Sequence, residues 1–148
     1  LDGVADTADA CGARSRDEAV YLPGKNLLMI SKAAVFCASK NIPNLALGPL
    51  KSNPFPDARR SFFKLLEQAC SAALDFKFRI HTPFLALSKR EVMKLGRGLP
   101  LELTFSCLAP VGARSPRPYI HCGRCNKCAE RKRAFRDSGI KDRTQYAR

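Results

Sequence analysis

Residues 121–128 read HCGRCNKC, and this stretch decides how the C-terminal third of the chain folds. It holds Cys122, Cys125 and Cys128 at two-residue intervals, and fourteen residues separate Cys107 from the first of them. Cysteines at this spacing are the usual thiolate ligands of structural zinc. We therefore predict that the four cysteines bind one zinc ion. Because four sulfur ligands fill its coordination positions, the ion would have no open position for catalysis.

The turn and the helix around these cysteines favour a shared metal ion. Gly123 permits the tight turn that brings two thiolates to one ion. Cys125 and Cys128 stand at the start of a predicted helix that runs from about Cys125 to Asp137 and stops at Gly139. Their spacing puts both side chains on one helix face, and the positive end of the helix favours thiolate over thiol.

Other uses of the cysteines remain open from the residues alone. Bacterial ferredoxins share the Cys-x2-Cys-x2-Cys spacing, but there a further Cys-Pro follows, where this chain has Arg131 and Lys132. Disulfides are disfavoured by the odd count of 7 cysteines and by the absence of a secretory-signal pattern. His121 could replace one sulfur, hydrogen-bond around the metal or face solvent. Cys37 and Cys70 lie on apolar helix faces, which predicts that they are buried and inert.

The composition is that of a globular protein with an excess of positive charge. The chain has 148 residues, of which 45% are hydrophobic and 26% charged, and no apolar run approaches the ~20 residues that span a bilayer. The net charge is +13, and 24 of the 26 basic residues follow residue 20, so polyanions are attracted. Nucleic acid is therefore a candidate partner that charge alone does not favour. The metal-type cysteine pattern favours a cytoplasmic protein without membrane association.

Helical and strand patterns alternate through the first half of the chain. A helix is predicted from Asn26, as its N-cap, to near Asn41, and a short buried strand follows at 45–47. Asp57 is predicted to cap the next helix. The apolar stripe of that helix is predicted to comprise Phe62, Leu66, Ala69, Cys70 and Ala73.

The alternation continues in the second half. Apolar and polar side chains alternate over 76–81, which predicts a strand with one face in the core. A capping box at 88–91 opens a short helix that stops at Gly96, and 101–107 is predicted to be another strand or an extended approach to the metal site. Together the elements predict an α/β fold in which helices cover a mostly parallel sheet.

The predicted domain organisation is simple. Residues 1–20, including Cys11, lack periodicity and are predicted to be a loop or flexible lead-in. Residues 21–148 are predicted to form the domain, with its zinc-binding region at 101–138 and an exposed loop at 110–118.

Several strings of sequence also carry a family resemblance. They are PGKN at 23–26, FPDAR at 55–59, HTP at 81–83, LSK at 87–89 with Glu91, LTFSC at 103–107, and CGRC at 122–125 with Cys128, Arg131, Phe135, Gly139, Asp142 and Tyr146. In this order, from about Tyr21 onward, the chain resembles the 7-cyano-7-deazaguanine synthase family of the PP-loop ATP pyrophosphatase superfamily. The most specific part is the cysteine arrangement together with the Thr-Phe-Ser-Cys and Pro-Asp-Ala-Arg strings.

The resemblance implies a Rossmann-like, usually homodimeric protein with one structural zinc. It also implies an ATP-dependent carbon–nitrogen ligase of queuosine biosynthesis. The implied enzyme converts 7-carboxy-7-deazaguanine and ammonia into 7-cyano-7-deazaguanine. ATP is the implied co-substrate, bound together with Mg²⁺. ATP would adenylate the carboxylate, ammonia would displace AMP to give an amide, and a second activation would dehydrate the amide. Such chemistry needs positive charge around phosphate and carboxylate and a pocket poor in water.

The chain departs from the family pattern in two places. The Ser-Gly-Gly-x-Asp-Ser phosphate loop is absent from the sequence, and our expectation is that an N-terminal segment carrying it precedes Leu1. The family also prefers Tyr-Ser-Gly-Tyr-Pro-Asp-Cys where this chain has KSNPFPDA at 51–58, which puts the exact substituent on the deazapurine in doubt.

Four residues are candidates for binding substrate, and no catalytic residue is assigned. Asp57 could accept the paired N–H groups of a guanine-like edge, although a helix cap is the simpler interpretation of the local pattern. Lys25, Arg59 and Lys89 could hold phosphate or carboxylate groups, although solvated surface cations are the simpler interpretation without a structure.

Two other functions remain open at this point. A tRNA-modifying enzyme of the same superfamily would face RNA with its basic run at 131–133 and with Arg136, although its sulfur chemistry would need cysteines beyond the four assigned to metal. A non-enzymatic zinc-containing module that binds nucleic acid would use the positive surface without ATP.

Overall fold

A computed structural model describes residue 12 and residues 21–112 and 120–147. The chain divides into two compact units. The first is Leu22–Ser88, and the second includes Tyr21 and the described residues from Lys89 onward. Most of the predicted lead-in at 1–20, with Cys11, and residues 113–118 of the predicted loop at 110–118 lie outside the described residues. The predicted domain bounds, 21–148 and 101–138, stay a prediction.

The first unit has the predicted α/β organisation. Strands β1 and β2 pair in parallel, with Leu45 opposite Ile80, and a helix connects them, as parallel pairing requires. Its elements are helix α1 (Lys25–Ser39), strand β1 (Asn44–Ala46), a 3₁₀ turn (Pro56–Ala58), helix α2 (Arg60–Ala73) and strand β2 (Arg79–His81).

The core of this unit lies between α1, α2 and the residue that leads into β2. Ile30, Ala34 and Cys37 recur at helical spacing and are all buried, and Phe78 is only 2% exposed. The predicted stripe of α2 is partly wrong, because the helix begins at Arg60 and turns its buried face toward Phe63. Leu66 and Cys70 are buried as predicted, Phe62 is half-buried, and Ala69 and Ala73 are exposed.

The two predicted helix caps are wrong in an informative way. Gly24 holds the N-cap position of α1, so Asn26 lies inside the first turn. Arg59 holds the N-cap position of α2 and makes no side-chain capping bond. Asp57 instead reaches the other helix: its Oδ2 accepts the backbone N–H of Asn26 at 2.9 Å, and its carbonyl accepts Asn26 Nδ2 at 3.0 Å. Asp57 therefore caps α1 through Asn26, which lies 31 positions before it in the sequence.

The alternation around β2 is confirmed. Phe78 is buried and Ile80 half-buried, while Arg79 and His81 are exposed. Glu67 of α2 accepts the N–H of Ile80 with its Oε2 at 2.7 Å, which supplies a partner to a backbone group of the strand.

The described part of the second unit contains two α-helices. Helix α3 (Lys89–Leu95) begins and ends where the capping box and Gly96 predict, and helix α4 (Asn126–Ser138) ends at Gly139, whose φ of +71° is the left-handed conformation expected of a C-terminal glycine. The strand predicted within 101–107 is wrong: Leu101–Leu103 forms a 3₁₀ turn, in which Thr104 donates back to the carbonyl of Leu101. The alternative, an extended approach to the cysteines, agrees with Thr104, whose backbone is extended.

Among the described residues, no helix has the length and apolar character that crossing a bilayer requires.

Candidate metal centre

The four predicted cysteines meet in one cluster. The sulfur atoms of Cys107, Cys122, Cys125 and Cys128 all lie within 4.8 Å of one another, with Cys122–Cys128 at 3.9 Å and Cys107–Cys125 at 4.0 Å. A disulfide would bring two sulfurs to about 2.05 Å, so these thiols are not covalently paired. Four sulfurs at about 2.3 Å from a tetrahedral zinc ion stand about 3.8 Å apart. The cluster therefore has the donor type, number and spacing of a structural metal site.

Three cysteine N–H groups donate hydrogen bonds to sulfur atoms of the cluster. The N–H of Cys122 donates to Cys107 Sγ at 3.2 Å, the N–H of Cys125 to Cys122 Sγ at 3.3 Å, and the N–H of Cys128 to Cys125 Sγ at 3.4 Å. Cys125 is the N-cap of α4, as its position at the predicted helix start implies. Gly123 has a φ of +75°, which confirms the predicted turn. Each bond directs a donor at a sulfur that must be ionised to bind metal.

Without a metal ion, the thiols differ sharply in acidity. Burial opposes ionisation of Cys125, but the N–H groups of Leu108 and Cys128 outweigh it and lower the pKa of Cys125 to about 6. Burial raises the pKa of Cys128, and the neighbouring thiols Cys125 and Cys107 raise it further. Burial also raises the pKa of Cys107. Such a group releases its protons in successive steps, and only a cation can stabilise all four thiolates together.

His121 lies beside the cluster as a buried neighbour. It is 3% exposed, so the solvent-facing alternative is wrong, and four sulfurs already meet without it. Its Nδ1 lies 3.7 Å from Cys128 Sγ, and its ring lies against those of Phe105 and Tyr146, with centroids 4.6 and 5.7 Å away. Burial lowers the pKa of His121, and the charge of Arg131 lowers it further. The neutral ring is thus placed to hydrogen-bond a metal-bound sulfur.

A C-terminal strap, residues 142–147, packs on the same cluster. His121 and Tyr146 form a parallel bridge, and the N–H of Ala147 donates to the carbonyl of His121 at 2.7 Å. Lys132 Nζ donates to the carbonyl of Gly123 at 2.8 Å and lies 4.4 Å from the centre of the Tyr146 ring. Sequence reasoning assigned no role to the strap, although Asp142 and Tyr146 belong to the strings that carry the family resemblance.

The strap is also bonded within itself. The hydroxyl of Tyr146 donates to Asp142 Oδ2 at 2.7 Å, and burial together with this carboxylate raises the pKa of Tyr146 to about 12. The phenol therefore stays protonated, and keeps its hydrogen bond, at neutral pH.

Arg131 joins the strap to the segment that precedes Cys107. Its guanidinium donates to Thr144 Oγ1 at 2.9 Å, to Thr104 Oγ1 at 2.8 Å and to the carbonyl of Leu101 at 2.7 Å. Of the four cations that an RNA-binding surface would use, Arg131 and Lys132 are thus engaged within the protein. Arg133 and Arg136 remain exposed.

The four predicted substrate residues are distributed over both units. Lys25, Asp57 and Arg59 belong to the first unit, where Asp57 is buried and the two cations are exposed. Lys25 directly precedes Asn26, whose N–H donates to Asp57, so the backbone of Lys25 lies near Asp57. Lys89 belongs to the second unit and lies 3.2 Å from Glu130. Their role in binding substrate stays a prediction.

Comparison with known proteins gives one consistent result. The family model of the queuosine biosynthesis protein QueC matches residues 5–139. Curated relatives named 7-cyano-7-deazaguanine synthase include those of Methanococcus maripaludis (strain S2), 32% identical over 87% of this chain and 58% of the relative, and Anaeromyxobacter dehalogenans, 31% identical over 86% and 56%. A further one, from Methanothermobacter thermautotrophicus, is 33% identical over 86% of this chain and 56% of the relative. The chain thus spans little more than half the length of these relatives.

Proposed function

The chain belongs to the family of the queuosine biosynthesis protein QueC, and from that premise we propose that it acts in the synthesis of 7-cyano-7-deazaguanine. The observation that carries the proposal is the family match over residues 5–139, which includes both the cysteine cluster and Asp57. The relatives that support it are named as synthases of this nitrile.

The proposed reaction is an ATP-dependent ligation followed by a dehydration. The carboxylate of 7-carboxy-7-deazaguanine attacks the α-phosphorus of ATP, and pyrophosphate leaves. Ammonia then displaces AMP to give the primary amide. The amide oxygen then attacks the α-phosphorus of a second ATP, and pyrophosphate leaves. Loss of that oxygen with AMP and of the two amide N–H protons to base gives the nitrile. Positive charge is needed at the phosphates and at the carboxylate, and exclusion of water protects each adenylate. The ATP would be bound with Mg²⁺.

Zinc is the proposed occupant of the cysteine cluster. Four thiolate donors at tetrahedral spacing suit zinc, and with all four positions filled the ion would hold the fold together and take no part in the reaction. A thiolate site of this kind suits a reducing compartment, so the proposal includes a cytoplasmic location.

Asp57 is proposed to recognise the guanine-like edge of the substrate. Its Oδ2 already accepts the N–H of Asn26, so the proposal assigns the paired N–H groups of the deazapurine to Oδ1. Exposed Lys25 adjoins Asn26, and exposed Arg59 follows Asp57 by two residues. We assign these two cations to the phosphate or carboxylate groups of the reactants.

Binding and turnover test the proposal separately, because the Ser-Gly-Gly-x-Asp-Ser loop is not among residues 1–148. We expect calorimetry with the purified, metal-loaded chain to show saturable binding of 7-carboxy-7-deazaguanine. Asp57→Ala should weaken that binding, while Asp75→Ala, an exposed aspartate in the same unit, should not.

Turnover is measured by mass spectrometry of the amide and the nitrile in the presence of ATP, Mg²⁺ and ammonia. Appearance of both products would support the whole reaction for this chain. A chain that binds none of the acid, the amide and the nitrile would contradict the proposal. The homodimer that the family resemblance implies is checked by light scattering on the same sample.

A further inference from the structure

A cavity of the second unit lies beside the C-terminal ends of α3 and α4. Its volume is about 480 Å³, which is within the range of ~300–1,000 Å³ that ligand pockets occupy. The loop at 97–102, which follows α3, forms one side, and Phe135 with the segment after α4 forms the other. None of the four predicted substrate residues belongs to the described lining of this cavity.

Hydrogen bonds hold the backbone on both sides of the cavity. The N–H of Leu99 donates to the carbonyl of Gly96 at 2.9 Å, and the N–H of Leu101 donates to the carbonyl of Leu99 at 2.8 Å. On the other side, the N–H of Ile140 donates to the carbonyl of Phe135 at 3.2 Å. The backbone that forms the cavity is therefore held in place without a ligand.

Three cations and one carboxylate line the cavity, namely Arg97, Lys141, Arg143 and Glu102. All three cations are exposed, and within the described part of the chain their side chains make no ion pair or hydrogen bond. A basic residue after a helix commonly donates to the last carbonyls of that helix, but no such bond ties Arg97 to α3 or Lys141 to α4 in the described residues. The lining therefore has an excess of two positive charges that are available to an anion.

The charge and the composition of the lining favour a phosphomonoester. A phosphate monoester carries about −1.5 to −2 charges at neutral pH, which matches the excess of two positive charges. The planar guanidinium of an arginine donates two parallel hydrogen bonds to phosphate oxygens, and the lining has two arginines. Pro100 and Ile140 add apolar surface, which inorganic phosphate would leave uncovered. A phosphate that carries a small organic group is thus the best match.

We propose that this cavity is a binding site for a phosphomonoester whose organic group is about the size of one ring. The three cations hold the phosphate, and Pro100 and Ile140 contact the organic group. Glu102 repels the phosphate and so limits the affinity. The site goes beyond the proposed function and does not depend on it, because none of its residues is assigned to the deazapurine, to ATP or to the metal.

Calorimetry with phenyl phosphate tests the site on the purified, metal-loaded chain at about pH 8, where the phosphate is a dianion. Arg97→Gln and Arg143→Gln should each weaken binding about tenfold, which is the loss expected for one charge-assisted hydrogen bond. Glu102→Gln removes the repelling carboxylate and should tighten binding. Arg133→Gln, which changes an exposed arginine of α4 outside the cavity, is the matched control and should bind phenyl phosphate as the wild-type chain does. The arginine side chains are exposed, so the melting temperatures of these variants should equal that of the wild-type chain.

A second ligand separates a phosphate site from the general attraction of a basic protein for anions. Phenyl sulfate has the shape of phenyl phosphate but a single negative charge, so it should bind more weakly to the wild-type chain. An affinity for phenyl phosphate that neither cavity arginine changes, or that Arg133→Gln lowers by the same factor, overturns the inference. Either result would mean that the net charge of the chain, and not this cavity, attracts the anion.

Two RNA oligonucleotides of one sequence, with and without a 5′-phosphate, identify the source of the phosphate. Tighter binding of the phosphorylated form, lost in Arg143→Gln, would support the site and assign it to the end of an RNA. Binding of phenyl phosphate but of neither oligonucleotide would support the site and assign it to a small metabolite. Equal binding of both oligonucleotides without binding of phenyl phosphate would show that backbone phosphodiesters are recognised, which overturns the inference.

Discussion

The cysteine cluster and the cap of α1 are both small polar sites, yet they were predictable to very different degrees. Three of the four thiols come from residues 122–128, so turn and helix geometry nearly determine their meeting. Asp57 caps α1 by accepting the N–H of Asn26, 31 positions earlier in the sequence, whereas its carboxylate was predicted to cap the helix that follows it. Short-range spacing specifies a site, whereas a single capping residue specifies only that some helix end needs an acceptor.

Removing one thiol should have the largest effect. Cys128 is fully buried, and Cys128→Ser leaves only three sulfur ligands in the cluster. We expect metal affinity to fall by more than about 100-fold, the upper end of the loss caused by changes to outer-shell partners. Metal content after dialysis and the melting temperature measure the change. Cys70→Ser, a buried cysteine of the first unit, should retain one metal ion per chain. Equal metal loss in both variants would contradict the assignment of the ligands.

The turn inside the cluster should be the next most sensitive position. In Gly123→Ala the residue must keep a φ of +75°, and the new Cβ would lie 3.4 Å from the Cβ of Tyr146. We expect a loss of about 1–2 kcal/mol in the free energy of unfolding and faster metal release to a chelator. Gly98→Ala is the matched control, since its Cβ meets nothing within 4 Å. A Gly123→Ala protein that releases metal at the wild-type rate would show that the turn does not help to retain the metal.

The cap of α1 sharpens the comparison from the other side. Asp57→Ala removes the acceptor of the Asn26 N–H and should cost about 1 kcal/mol of stability, measured by urea denaturation. Asp75→Asn changes an exposed aspartate whose positive φ of 44° asparagine tolerates, so it should be nearly neutral. If Asp57→Ala were equally neutral, the long-range cap would not contribute to folding.

The strap should show the smallest effect, with a pH signature. Tyr146→Phe removes a hydrogen bond to Asp142 at 2.7 Å and should cost about 1 kcal/mol. The folded pKa of Tyr146, about 12, lies above the ordinary value of 10.0. The stabilisation is therefore complete below pH 10.0 and is lost as the pH rises toward about 12.

Absorbance at 295 nm measures this titration directly. The late tyrosinate step near pH 12 should be present in the wild-type protein and in Tyr21→Phe, and absent from Tyr146→Phe. Persistence of the late step in Tyr146→Phe would assign it to another tyrosine.

Much of the fold followed from periodicity, and the errors have physical causes. The bounds of α3 and α4 were predictable because Ser88, Gly96 and Gly139 mark helix ends locally. The stripe of α2 was misassigned because Phe62 and Phe63 are adjacent, and only the position of the partner surface decides which one is buried. The strand predicted within 101–107 is wrong because a strand needs a neighbouring strand for its backbone hydrogen bonds. Here the N–H of Thr104 instead donates to the carbonyl of Leu101 in a 3₁₀ turn.

For the candidate site, spacing predicted the ligands but not their surroundings. The strap contacts His121 although more than twenty positions separate them in sequence. Arg131 donates to Thr104, which precedes it in the sequence, and to Thr144, which follows it. Such contacts have no period or motif, so no single-sequence pattern reveals them.

The central claim is that four thiolates hold one zinc ion, and X-ray absorption at the zinc edge, combined with metal analysis of the purified chain, tests it most directly. The account predicts one zinc per chain, with four sulfur neighbours at about 2.3 Å. Stoichiometric iron, a first shell with nitrogen or oxygen in place of sulfur, or oxidised cysteines without metal would contradict it.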